Sequence, residues 1–379
     1  MTIRRRGLVA VAAGLAGSGA FAQLRPPAPG TAAATPAEDP VRRGRPLRFP
    51  RDHGAHLSSR IEWWYATGWL RVEAQSEPLG FQVTFFRSRT GLAERLGGRL
   101  APRQLLFAHA ALSDLRGRRH LHGDRVARWS GLDAPDLRAR ASTRDADVAL
   151  AGWTFRRFDT SGGSRYDSVV RTPDFELDLA LQCTQPLLLQ GDAGFSRKGP
   201  EESQASHYTS ETQVEASGQV RLDGRRLLAR GRAWIDHEWS DELLHPQAVG
   251  WDWIGINLED GRALTAFQLR RADGSALWAG GSLRGPAGDR TFGADQVRFV
   301  PLRRWRSASS DAEYPLEWSV QTPAGSWRVR ALMEAQELDS RASTGTVYWE
   351  GLSELLDVQL RRVGLGYLEM TGYAGRLNL

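Results

Sequence analysis

Short apolar runs, broken at close intervals, constrain this chain more than any other feature of its sequence. Between Ile61 and Thr371, runs rich in tryptophan, phenylalanine, valine and threonine are interrupted roughly every 8 to 15 residues by glycine, proline or aspartate. That spacing belongs to an all-β barrel or sandwich. Strands are expected over 61–72, 81–89, 106–115, 147–155, 175–182, 213–222 and 226–239, and again over 250–258, 263–270, 316–321, 327–333, 346–351 and 366–371. Asp223-Gly224, Asp260-Gly261 and Asp273-Gly274 sit between strand pairs, as tight hairpins require. Only 354–363 reads as a short helix. A chain of 379 residues suits two domains rather than one small core, and the polar segment at His245-Pro246 divides the strands into groups at 48–245 and 246–379.

The N-terminal residues predict export. Arg4-Arg5-Arg6 precedes an apolar run from Leu8 to Ala20 and a small-x-small cleavage signal at Ala20-Phe21-Ala22, so 1–22 reads as an export signal, with twin-arginine and general secretion both compatible. An apolar run of about 13 residues is short of the roughly 20 that span a bilayer, and no later stretch is longer; the mature protein is expected in the periplasm without a membrane span. Residues 23–47 form a proline- and alanine-rich linker.

Composition narrows the chemistry. Of 50 basic residues only Lys198 is lysine, the arginines are dispersed among 44 acids, and the net charge of +6 falls to +3 without Arg4, Arg5 and Arg6. A scattered excess of this kind argues against nucleic acid as a partner. The single Cys183 excludes an internal disulfide framework and a cysteine-based zinc site. His109, His207, His237 and Glu238 lack metal-ligand spacing, and the nucleophile elbow, phosphate loop and dinucleotide fingerprint are all missing. The expectation is therefore no metal and no cofactor.

Chemistry-bearing residues concentrate in Trp234-Ile235-Asp236-His237-Glu238-Trp239 and in Trp251-Asp252-Trp253. On a strand, residues two apart share a face, which sets His237 and Trp239 with Ala233 and Ile235, and Asp236 and Glu238 with Trp234. Asp252 falls with Ile254, Ile256 and Leu258, where desolvation favours its protonated form; it reads either as a general acid or as a structural acceptor for a tryptophan indole. Glu62 lines a cavity or pairs with an arginine. His109 is a satisfied core histidine or a ligand group, and Tyr208 closes a pocket or caps a barrel end. Fourteen tryptophans, several beside acids, suit a cavity for a greasy ligand with a polar end.

At Glu62-Trp63-Trp64-Tyr65-Ala66-Thr67-Gly68, Gly80 to Phe86, Phe107-Ala108-His109-Ala110, Asp236-His237-Glu238-Trp239, Gly250-Trp251-Asp252-Trp253 and Ala263 to Leu269, the sequence resembles the AttH-like/carotenoid 1,2-hydratase (CrtC) family. The resemblance implies two lipocalin-like β-barrels packed side by side. In the hydratase branch it implies protonation of an isolated alkene and capture of the cation by water, with a His-x-Trp pair matched here by His237 and Trp239. The Tyr-x-Asp pair of a later strand has no counterpart in Ala263 to Leu269.

Two functions follow as expectations. One is an exported protein binding a hydrophobic or amphipathic small molecule, lipid- or terpenoid-like, near the barrel junction, with an export or transporter system as candidate protein partner. Its ligand-binding residues would be Glu62, Trp63, Trp64, Tyr65, Gln82, His109, Tyr208, Glu238, Trp251, Trp253 and Gln268. The other is a hydratase or cyclase acting on an alkene, with His237, Trp239 and Asp252 catalytic.

Overall fold

The computed structural model describes residues 40–73, 75–92, 101–132, 138–242 and 244–376. The expected export signal, and the expected linker as far as residue 39, lie outside the described residues. The first sheet holds β1 (Ile61–Val72), β2 (Leu79–Arg89), β3 (Gln104–Asp114), β4 (Arg119–Trp129), β5 (Ala139–Ala141), β6 (Asp147–Leu150), β7 (Trp153–Thr160), β8 (Gly163–Arg171), β9 (Phe175–Gln182), β10 (Leu188–Leu189), β11 (Phe195–Arg197), β12 (Ala205–Leu222) and β13 (Arg225–Ser240). The second holds β14 (Gly250–Leu258), β15 (Ala263–Arg270), β16 (Ala276–Gly285), β17 (Gly288–Phe292), β18 (Arg298–Arg306), β19 (Glu313–Thr322), β20 (Gly325–Ala331), β21 (Glu337–Ser340), β22 (Thr346–Leu356) and β23 (Arg362–Met370). A 3-10 turn at Arg51–His53 is the only helical element among the described residues, and none of their helices is long and apolar enough to cross a membrane.

The chain is thus all-β, built as two antiparallel, lipocalin-like barrels packed together. The first sheet runs β4-β3-β2-β1-β13-β12-β9-β8-β7-β6-β5, and its outer strands β4 and β5 approach each other, so the sheet is nearly closed. The second runs β17-β16-β15-β14-β23-β22-β20-β19-β18. Alternation explains the burial. Trp64, Ala66, Phe81, Val83, Phe85, Ala233 and Ile235 fill the first barrel, and Ile254, Ile256, Leu264, Ala266, Trp349, Leu368 and Met370 fill the second. The other faces of the same strands, with Tyr65, Trp234, Trp253, Phe267, Leu352 and Tyr367, form an apolar layer between the barrels.

Local chemistry fastens the two sheets. At the β-bulge between Glu211 and Val214, Gln213 reaches out of the first sheet: its backbone N–H donates to Asn257 Oδ1 at 2.8 Å and its side-chain amide to the carbonyls of Leu258 and Arg262 at 2.9 and 2.7 Å. Small residues let the layers close. A Cβ at Gly80 would stand 2.8 Å from the Tyr367 hydroxyl, and one at Gly255 would stand 2.3 Å from the Trp253 indole.

Two expectations change. The segment 354–363 is not helical: β22 continues to Leu356, whose side chain is buried like that of Leu355, and Asp357 then accepts the N–H groups of Gln359 and Arg361 to make a tight turn into β23. From Pro40 the expected linker is fastened to the first sheet. Val41 donates to Asp241 at 3.0 Å, and Arg43 pairs with Asp192 and, at 2.9 Å, with Glu202.

Candidate functional site

The two tryptophan-rich motifs of the first half meet in one ladder. Strands β1 and β13 pair so that Glu62 lies opposite Trp239, Trp63 opposite Glu238, Trp64 opposite His237 and Tyr65 opposite Asp236. Alternation then deals these eight residues to two surfaces. Glu62, Trp64, His237 and Trp239 point into the first barrel; Trp63, Tyr65, Asp236 and Glu238 point at the second.

The inward set belongs to a closed polar cluster. Glu62, fully buried, accepts from Arg87 Nε at 2.8 Å, from the His56 backbone at 2.9 Å, and lies 2.8 Å from His56 Nδ1 and 3.0 Å from His237 Nε2. Burial alone would raise its pKa, but Arg87 and the two histidines outweigh burial and hold the carboxyl well below its usual range. His56 also bonds Asp52 at 3.0 Å and stacks on Trp239 with ring centroids 3.7 Å apart. His237 stacks on Trp64 at 5.0 Å, and burial lowers its pKa, so the ring is neutral. His56, Glu62 and His237 bring ligand atoms close enough to hold a metal ion. Yet Glu62 already compensates a buried guanidinium and is surrounded by four donors, which makes the cluster a charge-balanced plug in the barrel end.

The outward set lines a cavity of about 130 Å³ between the barrels. Trp63, Phe86, Trp251, Trp253 and Phe267 supply apolar walls, and four carboxyl groups, Asp236, Glu238, Glu350 and Glu369, supply the polar part. Asp236 Oδ1 accepts from the Trp234 indole and from Ser210, each at 2.6 Å, and Oδ2 accepts from Tyr208 at 2.7 Å. The Trp253 indole donates in turn to the Tyr208 oxygen at 3.1 Å, which ties the Asp236 network of one barrel to the wall of the other. Burial pushes Asp236 up to about 7 against the pull of those hydrogen bonds. Glu350 and Glu369 face each other across β22 and β23. Burial, together with the neighbouring Glu369 charge, raises Glu350 well above the usual carboxyl range, and burial raises Glu369 to about 8 although the Trp251 indole donates to it at 3.1 Å. Two carboxyl groups so placed in an apolar cavity retain at least one proton at neutral pH. Lys198, the only lysine of the chain, has its ammonium 3.0 Å from Glu238 and over the rings of Phe267 and Tyr208 at 4.2 and 4.7 Å.

Of the residues expected to bind ligand, the cavity brings together Trp63, Tyr65, His109, Tyr208, Glu238, Trp251 and Trp253. His109 bonds Tyr348 at 2.8 Å and Ser343 at 3.0 Å across the seam, and burial lowers it to about 4. Glu62 and Trp64 are absent from the lining because parity turns them inward. Gln82 is buried against Thr84 beside the lining. Asp252 and Gln268 point into the second barrel, where Asp252 Oδ2 accepts from Gln268 at 2.8 Å and lies 2.9 Å from Arg270 Nε, while Oδ1 accepts from Tyr373 at 2.9 Å. Both oxygens of Asp252 are therefore committed, to an arginine, an amide and a phenol and to no indole. Asp236, Lys198, Tyr348, Glu350 and Glu369 line the cavity but were not among the expected ligand-binding residues. A signal was present for some: Tyr348-Trp349-Glu350 and Tyr367-Leu368-Glu369 repeat a Tyr-x-Glu pattern on neighbouring strands.

Fold and site together define a two-barrel, lipocalin-like protein with an acidic, aromatic cavity at the seam. The AttH-like family model matches residues 40–373, and the chain belongs to that family. A solved AttH from Nitrosomonas europaea is 46% identical, covers 88% of this chain and 99% of its own, and superposes with a TM-score of 0.80. Kievitone hydratase from Nectria haematococca shares the fold at 14% identity, with a TM-score of 0.65 over 86% of this chain and 93% of its own. Among curated proteins no sequence matches.

Proposed function

We propose that this AttH-like protein binds a small apolar or amphipathic molecule in the cavity between its barrels, with the apolar part against the indoles and the polar end at Asp236, Glu238, Glu350 and Glu369. The observation that carries this reading is the concentration of carboxyl groups, part of them protonated at neutral pH, in a cavity whose walls are largely aromatic and aliphatic. The work of such a protein outside the cytoplasm is part of the same proposal and rests on residues 1–22. Native mass spectrometry of protein isolated from the periplasm, followed by fluorescence titration with lipids and terpenoids, tests it. A co-purifying mass that is lost on Trp63→Ala is expected. A single apo mass and no tryptophan quenching by any lipid or terpenoid would overturn it.

One observation favours a second reading, acid catalysis on an alkene. Glu350 and Glu369 form a carboxyl pair that keeps a proton in a low-dielectric site and so can deliver it. Protonation would form a C–H bond at one alkene carbon and leave a tertiary cation at the other, facing the indole walls. Water would add to that cation and return its proton to the carboxylate; loss of a neighbouring proton instead, with ring closure, would give cyclase chemistry. The hydratase activity named for the Nectria haematococca protein is consistent with this reading, which the fold alone does not carry. Glu350→Gln with Glu369→Gln would abolish turnover and leave binding within about threefold. Full turnover in the double variant would exclude the pair as the acid.

A further inference from the structure

The outer face of β13 carries opposite charges at its two ends. Arg230, Arg232, Trp234, Asp236 and Glu238 alternate onto one side, and while the acids line the cavity described above, the arginines line a second depression along the same seam. This depression has a volume of about 660 Å³ and takes Arg71 from β1, Arg230 and Arg232 from β13 and Arg362 from β23, with Glu259 as the one acid in its lining. Arg71 and Arg230 stand directly opposite each other in the β1/β13 ladder, where like charges repel. Neither guanidinium has a hydrogen-bonding or ionic partner among the described residues. Arg232 donates to the Gln213 carbonyl at 3.1 Å, and Arg362 pairs with Glu259 at 3.0 Å.

Many arginines elsewhere in the chain are instead held by carboxylates. Arg119 is held by Asp114 and Asp223, Arg157 by Asp145 and Asp159, and Arg341 by Asp339. Two unpaired guanidinium groups side by side, with two more nearby and one carboxylate among them, form a concave positive surface whose donors suit the paired oxygens of a phosphate. We propose that this arginine-lined depression is a binding site for a phosphate-type oxyanion, carried either by a free small molecule or by a lipid headgroup.

Isothermal titration of the full chain with inorganic pyrophosphate, alongside flotation with phosphatidylglycerol and with phosphatidylcholine vesicles, tests the site and separates the two sources. The expected result is one saturable pyrophosphate site, or binding to the anionic vesicles alone if the headgroup is the ligand. Arg71→Gln with Arg230→Gln should weaken that binding about tenfold or more. Arg290→Gln with Arg298→Gln, exposed on the second barrel, should leave it unchanged. Because the first pair relieves a repulsion, that variant should melt no lower than wild type without ligand, and where pyrophosphate binds, only wild type should gain melting temperature from it. No binding to either probe, or equal weakening by both double variants, would overturn the proposal.

Discussion

At the residue scale, buried ionisable groups on opposite faces of one ladder behave in opposite ways. Glu62 is buried beside Arg87 and stays ionised; Asp236 is buried beside hydroxyls and an indole and holds its proton to about 7. The consequences for stability differ in sign. Asp236 titrates from 3.8 when exposed to about 7 in the fold, so between those values the folded state binds more protons and stability falls as pH rises, by up to about 1.4 kcal/mol per pH unit. His53 and His109, lowered to about 2 and about 4 by burial, have the reverse slope below their usual 6.5. The comparison must therefore be between wild type and Asp236→Asn. Urea unfolding from pH 5 to pH 8 should show the difference between the two shrinking or reversing across that range. At Arg87, replacement by Met leaves Glu62 charged and unpaired in the barrel end and should cost about 3–5 kcal/mol in urea, whereas replacing Glu62 by Gln as well should recover a large part of it.

At the element scale, strand parity decides what each motif can do. The parity of Ala233 to Trp239 was legible in the sequence, and so was the separation of His237 and Trp239 from Asp236 and Glu238. What the chain order does not disclose is which face of β13 meets the other barrel, because that depends on how β14 packs together with β22 and β23, which lie about a hundred residues further along the chain. For the same reason Glu350 and Glu369 escaped notice: each is an ordinary acid in its own run, and only their register across β22 and β23 makes them a pair. Asp252 was expected to sit where burial favours its proton, and burial does raise its pKa, although Arg270, two positions beyond its register partner Gln268, pairs with it. The first barrel uses the same device, with Glu62 on β1 opposite Arg87 on β2. Close approach at the seam also belongs to this scale. Gly255→Ala places a methyl group 2.3 Å from the Trp253 indole and should cost about 1–3 kcal/mol and displace that cavity wall, measurable as a lowered melting temperature together with weakened ligand binding.

At the scale of the whole molecule, the described residues pack side chains into both barrel interiors and leave a cavity of about 130 Å³ at the seam. The first core is packed with side chains from Trp64 to Ile235, the second from Ile254 to Met370, and the cavity between them combines walls from both. The all-β class could be read from strand spacing and the pair of barrels from the family resemblance; which residues line the seam depended on tertiary packing, signalled in the sequence by the tryptophans and the repeated Tyr-x-Glu. The central claim is that ligands enter this seam and not a barrel interior. Calorimetric titration with β-ionone, a terpenoid ketone, tests it most directly. Trp63→Ala or Trp251→Ala, on the half-buried cavity wall, should weaken binding about tenfold or more, while His237→Gln, inside the first barrel, should leave it unchanged. Undiminished binding in the tryptophan variants, with loss in His237→Gln, would contradict the account.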